Sequence, residues 1–195
     1  MAAEPPARAR ARRGGGQAAA RLHALPAVRT RQEVRVAPFG LRNKFCCDNP
    51  DVYGCLYVAT EPVAAIVEQL ARFRGSVMVP QILRRRGLPL ALATVELDDR
   101  TNLADLDDPR LLATRRLRPS RIATRERGVT QPQALAFYRR RANGLRWWST
   151  FESLWTNVTL FDRVAPRLRL AGVTALTAEG ATLREAAELL GIAPA

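Results

Sequence analysis

At 195 residues, 47% of them hydrophobic, the chain has the length of one domain and enough apolar content for a core of ordinary size. Its formal net charge is +13, and residues 1–32 carry +6 of it, seven Arg against Glu4. Three cysteines (Cys46, Cys47, Cys55) and one histidine, His23, argue against a Cys/His zinc site and against a triad with a histidine base inside the fold, and no metal site is expected.

Any catalysis must therefore run on carboxylates, hydroxyls, tyrosines and arginines. A basic balance favours polyanionic partners. However, Lys44 is the only lysine among 31 basic residues, and with the heavy alanine content this reads as a compositional bias rather than a dedicated nucleic-acid face. The free thiols suit a reducing cytoplasm. Residues near the N-terminus lack the apolar run of a secretion signal, and no stretch approaches the roughly 18 apolar residues of a membrane span. The expectation is a cytoplasmic protein with no membrane contact.

Residues 1–28, rich in Ala, Arg, Gly and Pro, read as a disordered basic tail that could touch nucleic acid weakly. The folded domain is expected over 29–195. "EVRVAPFG" reads as a short strand, and "LRNKFCCDNPDVYG" as a polar loop with turns at Asn49-Pro50 and Gly54. "CLYVA", 55–59, is a buried strand. Thr60 is placed to cap the following helix, 61–73, with Pro62 in its first turn. "LPLALATVEL", 88–97, is a further strand, and "DDRTNLADLDDPRLLATRR" a turn plus short helix.

"LRPSRIATRERG" is a basic loop. Thr130 is placed to cap the helix "QPQALAFYRRRA". "LRWWS", 145–149, "NVTLFD", 157–162, and "RLRLAGVTAL" read as strands. "TLREAAELLGI" reads as a closing helix with a Thr182/Glu185 capping box and Gly191 at its C-cap. It has the look of half a helix-turn-helix, but packing is its expected role. This order of elements indicates an α+β fold with small mixed or antiparallel sheets and two to four helices.

Glu68 is the carboxylate that raises a question. Val63, Ile66, Val67 and Leu70 share one helical stripe facing the core. Glu68 falls on the other side, four residues before Arg72, where a surface ion pair is the ordinary reading. Against this, Ala64, Ala65 and Ala71 leave room beside it. Tyr57 sits on a strand whose faces alternate. Ser149 ends a strand with Leu145 and Trp147 on its face. Arg35, among apolar strand residues, is suited to binding an anion.

The run "LYVATEPVAAIVEQL", a strand Tyr followed eleven residues later by a helical Glu, resembles the core motif of RES domains. "VRVAPFG...NKF" is similar to that family's opening strand with its Arg and basic-aromatic pair. "TQPQALAFYRRRANGLRWWSTFESLWTNVTLFD" is similar to its helix, turn, strand ending in Ser, and apolar strand. The likeness spans about residues 32–165. It implies an ADP-ribosyltransferase-like fold and an enzyme that breaks the nicotinamide–ribose bond of NAD, as a glycohydrolase or a phosphorylase. NAD would be the substrate, with no cofactor. Carried over by position, Glu68 and Ser149 would be catalytic, and Arg35, Tyr57, Arg42 and Lys44 would bind substrate. Thr130 and Gln131 occupy a second place where the family carries Ser. The resemblance also implies a bacterial toxin with an antitoxin protein as partner; self-association is a further expectation. The rival readings are a non-catalytic nucleic-acid-binding protein using the tail and loop 115–127, and a RES-like fold that has lost activity.

Overall fold

The computed structural model describes residues 20–24, 47, 49, 51–98, 101–124 and 126–195. The strand expected within "EVRVAPFG", together with Arg35, Arg42 and Lys44, lies outside the described residues.

Among the described residues nine strands run β1 Ala20–Ala24, β2 Cys55–Ala59, β3 Arg84–Arg85, β4 Leu88–Pro89, β5 Ala91–Leu97, β6 Leu103–Asp105, β7 Gly144–Trp148, β8 Thr156–Phe161 and β9 Arg169–Ala175. The α-helices among the described residues are α1 Pro62–Leu70, α2 Pro109–Arg115, α3 Arg127–Arg139 and α4 Ala181–Leu189. Seven strands form one sheet in the order β6-β7-β8-β2-β1-β5-β9, while β3 and β4 make a separate hairpin. Among the described strands of this sheet only the β6–β7 pairing is parallel. The class is α+β, as the sequence indicates, with seven strands joined into one mixed sheet and two in a separate hairpin.

The expected tail needs a correction at its C-terminal end. Ala20–Ala24 is a strand inside the sheet, in register with β5 from Ala20↔Leu97 to Ala24↔Ala93, and meeting β2 at His23↔Ala59. "ARLHA" lacks the apolar run of a buried strand. Pairing along β5, with one further position against β2, engages its backbone groups, and this outweighs its weak intrinsic preference.

Three apolar clusters hold the layers. Beneath α2 and α3, Leu112, Ala134 and Phe137 meet Leu145 of β7 and Phe161 of β8. On the opposite sheet face Val58, Val158 and Leu160 pack with Val95, Leu97 and Val164. Helices α1 and α4 pack together through Ile66, Val67, Leu70, Leu183 and Ala186. This accounts for the "TLREAAELLGI" segment as a packing helix. Burying about four aliphatic side chains from α1 is worth several kcal/mol, at roughly 1.5–3 kcal/mol for each complete burial.

Helix ends differ in detail from the sequence reading. Pro62 opens α1, but the residue before it in the cap position is Glu61. The Thr60 hydroxyl donates instead to the Thr156 carbonyl at 3.3 Å, tying the helix start to β8. Helix α3 starts three residues before Thr130, after Glu126, so Thr130 lies within the helix and its hydroxyl donates back to the Glu126 carbonyl at 3.3 Å. Gly180, not Thr182, precedes α4. At its other end Gly191 takes φ +63°, its N–H bonds the Glu188 carbonyl and that of Ile192 bonds Ala187, a Schellman closure.

Two expectations follow from this architecture. Removing residues 1–24 takes away the strand between β2 and β5. Calorimetry should show the cooperative melting transition weakened or lost, whereas an unchanged transition would mean β1 is dispensable. Gly144 opens β7 where a Cβ would fall against the Thr159 carbonyl oxygen and within 2.9 Å of Leu103 Cδ2. Gly144→Ala should therefore destabilise by about 1–3 kcal/mol, the usual scale of overpacking. An unaltered melting temperature would contradict the close strand approach.

Candidate functional site

Helix α1 carries Glu68 to the end of the sheet where β7 stops and β8 begins. Residues directly paired across strands share a face. The pairs Ala59↔Asn157 and Tyr57↔Thr159, with Trp147↔Asn157 and Leu145↔Thr159, therefore place Tyr57, Asn157, Thr159, Leu145 and Trp147 on one side. Trp147 Nε1 donates to Thr159 Oγ1 at 3.1 Å, fixing the indole on that face. A mainly apolar pocket between α3 and β7 lies over the same face, with Cys47, Thr130, Gln133 and Phe137 among its walls.

The carboxylate of Glu68 is gripped at one oxygen. Ser149 Oγ donates to Oε1 at 2.8 Å and Asn157 Nδ2 donates to the same atom at 2.7 Å. Both donors are buried, 3% and 4% exposed, while Glu68 itself is only half-buried. The donor directions are determined by chemistry. A carboxylate only accepts, so the Asn157 amide must turn its nitrogen toward it. Ser149 Oγ also accepts the Phe151 N–H at 3.1 Å, which leaves its own proton for Glu68. Among the described residues Oε2 has no hydrogen-bond partner.

The sequence-predicted site residues fall into three groups. Glu68 and Ser149 come into direct contact across 81 positions of chain. Tyr57 lies on the Asn157 face, and its hydroxyl oxygen accepts the Cys47 N–H at 2.9 Å. Tyr53 supports that contact by donating to the Cys47 carbonyl at 2.9 Å and stacking on Tyr138 at 4.5 Å. Arg35, Arg42 and Lys44 lie outside the described residues. Thr130 lines the pocket but has no contact with Glu68, so Ser149 is the hydroxyl at the carboxylate.

The surface pair Glu68–Arg72 does not form, because the Arg72 guanidinium lies over the Phe73 ring at 4.7 Å. Nor do the alanines all open space, since Ala64 is fully buried with the core stripe. Sequence reasoning missed Asn157. The available signal was two polar residues at i and i+2, Asn157 and Thr159, in a strand whose other residues after Thr156 are Val, Leu and Phe. A polar pair repeating on one face of a buried strand needs partners on that face.

An α+β protein with a helical glutamate anchored by a serine just past the end of one strand and an asparagine on the neighbouring strand is thus defined by both fold and site. The RES domain model matches residues 8–181, and the chain belongs to that family. In architecture it is similar to a chain in the crystal structure of the M. tuberculosis MbcT–MbcA toxin–antitoxin complex, with a TM-score of 0.63 and 15% identity, over 89% of this chain and 90% of that one. A sequence comparison with curated proteins finds no match.

The triad can be tested without knowing the substrate. Asn157→Asp is nearly isosteric and sets a second carboxylate against Glu68. At pH 7 it should cost about 2 kcal/mol or more, because a buried donor becomes a repelling acceptor. Lowering the pH lets the folded pair hold one proton that the unfolded chain has released. The native state then binds more protons, so its stability falls as pH rises, and the deficit should shrink toward acid. A deficit independent of pH would contradict the direct contact.

Proposed function

We propose that the protein is an NAD-consuming RES enzyme that cleaves the nicotinamide–ribose bond. The observation that carries this reading is the division of labour within Glu68, with Oε1 held by two buried donors and Oε2 without a partner among the described residues. Breaking this bond needs no strong base, since nicotinamide leaves as a neutral group. What develops is positive charge on the ribose, and a fixed, preorganised carboxylate oxygen stabilises such charge. It can also orient the attacking oxygen, whether of water or of phosphate.

Ser149 and Asn157 hold the carboxylate in one orientation, so little reorganisation is required when charge appears. Tyr57 supplies an aromatic surface on the same sheet face. By the family resemblance Arg35, Arg42 and Lys44 are assigned to substrate binding, and the guanidinium fork of Arg35 matches the paired oxygens of the pyrophosphate. The similarity to a chain of a toxin–antitoxin complex supports the further reading that this protein is a toxin restrained by a protein antitoxin.

Glu68→Gln tests the assignment. Glutamine keeps Oε1 as an acceptor for Ser149 and Asn157, so the melting temperature should stay within a few degrees of the parent's. NAD turnover should fall by about 10²-fold or more, the scale on which a single electrostatic stabiliser is felt. Intact folding with intact turnover would remove Glu68 from the chemistry.

A further inference from the structure

A second group of charged residues lies beyond the C-terminal end of α1, and neither the Glu68 site nor its strands use it. Strands β3 and β4 pair through Arg84↔Pro89 and Arg85↔Leu88, which leaves Arg86 and Gly87 as a two-residue hairpin loop. Both have positive φ, +50° and +78°, the signature of a type I′ turn. The first position of such a turn favours Asn, Asp or Gly, yet an arginine occupies it. Arg116 and Arg141 are also left-handed, but they stop helices α2 and α3, where such a residue is common and a cation is favoured. Arg86 has neither excuse.

The turn also concentrates like charges. Arg84 Nη1 donates to the Gly87 carbonyl at 3.1 Å, which braces the loop. Burial holds Arg85 below the usual arginine range, and repulsion from Arg72 and Arg86 adds to this. Arg72 and Arg86 are both exposed. Among the described residues Arg72, Arg84 and Arg86 have no carboxylate partner. Two exposed arginines of the seven-stranded sheet do find one: Arg146 pairs with Asp105 at 3.4 Å and Arg169 with Glu96 at 3.2 Å. A composition rich in arginine explains many arginines. It does not explain gathering them around a hairpin where the backbone and the mutual repulsion both count against it. Unfavourable arrangements of this kind persist where a ligand offsets the cost, and clustered guanidinium forks fit phosphoryl oxygens.

We propose that the β3–β4 hairpin, with Arg72 and Arg86 as its exposed cations, is a binding site for a multiply charged phosphoryl ligand, separate from the Glu68 site. The ligand is either a free polyphosphate or the backbone of a nucleic acid. The inference does not depend on NAD chemistry, and its test reads binding alone.

The informative variant is Arg86→Asn, which installs the residue the turn favours and relieves the crowding. It should melt at or above the parent temperature, so a binding loss cannot be ascribed to misfolding. Arg72→Gln gives a second, independent removal of charge. Affinity is measured at fixed ionic strength for tripolyphosphate, by calorimetry, and for a labelled 12-nucleotide single strand, by fluorescence anisotropy. Each variant should weaken binding by roughly 10-fold, the scale of one charge-assisted hydrogen-bonding partner. Loss in the tripolyphosphate arm alone assigns the site to a free phosphoryl ligand. Loss in both arms assigns it to a nucleic-acid backbone, with a shallower salt dependence in the variants. If both variants bind both probes as tightly as the parent, or if the parent binds neither, the proposal is overturned.

Discussion

One oxygen atom organises this molecule's site. Oε1 of Glu68 receives hydrogen bonds from Ser149 and Asn157, so a helix that follows β2 is tied to the end of β7 and the start of β8. The arrangement costs stability, because a carboxylate is drawn half out of water and two polar side chains are buried to meet it. It is tolerable because each buried donor is satisfied, and because the surrounding backbone is closed. The Ser149 N–H bonds the Trp155 carbonyl at 2.9 Å, and the Thr60 N–H bonds the Thr156 carbonyl at 3.0 Å. Partial loss of such a network leaves an orphaned buried group, so the three residues act as a unit.

Much of the fold could be read from the chain because local pattern and final environment agree. "CLYVA" has the period and composition of a strand and is β2 at its full length. Pro62 and the Ile66/Val67/Leu70 stripe place α1 before any contact is known. Gly191 marks a helix stop through its own backbone freedom, a property no neighbour needs to supply. What could not be read was decided by partners distant in sequence. β1 is a strand because β2 and β5 flank it. Thr60 and Thr130 have the chemistry of caps, but their hydroxyls bond carbonyls instead. Local preference states what a residue can do, and the tertiary contacts choose among the options.

The site shows the same division. Periodicity correctly put Glu68 away from the Val67/Leu70 core stripe, and from that alone a solvated ion pair with Arg72 was the natural reading. What periodicity cannot reveal is whether the opposite side of a helix faces water or another part of the chain. Ser149, 81 residues away, and Asn157 make it the latter. The family motif supplied Glu68 and Ser149 by position. Asn157 was visible only as half of a polar repeat in an apolar strand, a signal that asks for a partner without naming it.

Electrostatics connects the parts. With a net charge of +13, the protein as a whole attracts anions. The most direct test is to incubate the purified parent protein with NAD, with and without inorganic phosphate, and identify the products. Release of free nicotinamide is predicted, together with ADP-ribose if water is the acceptor or its phosphorylated form if phosphate is. NAD recovered intact under both conditions would contradict the account.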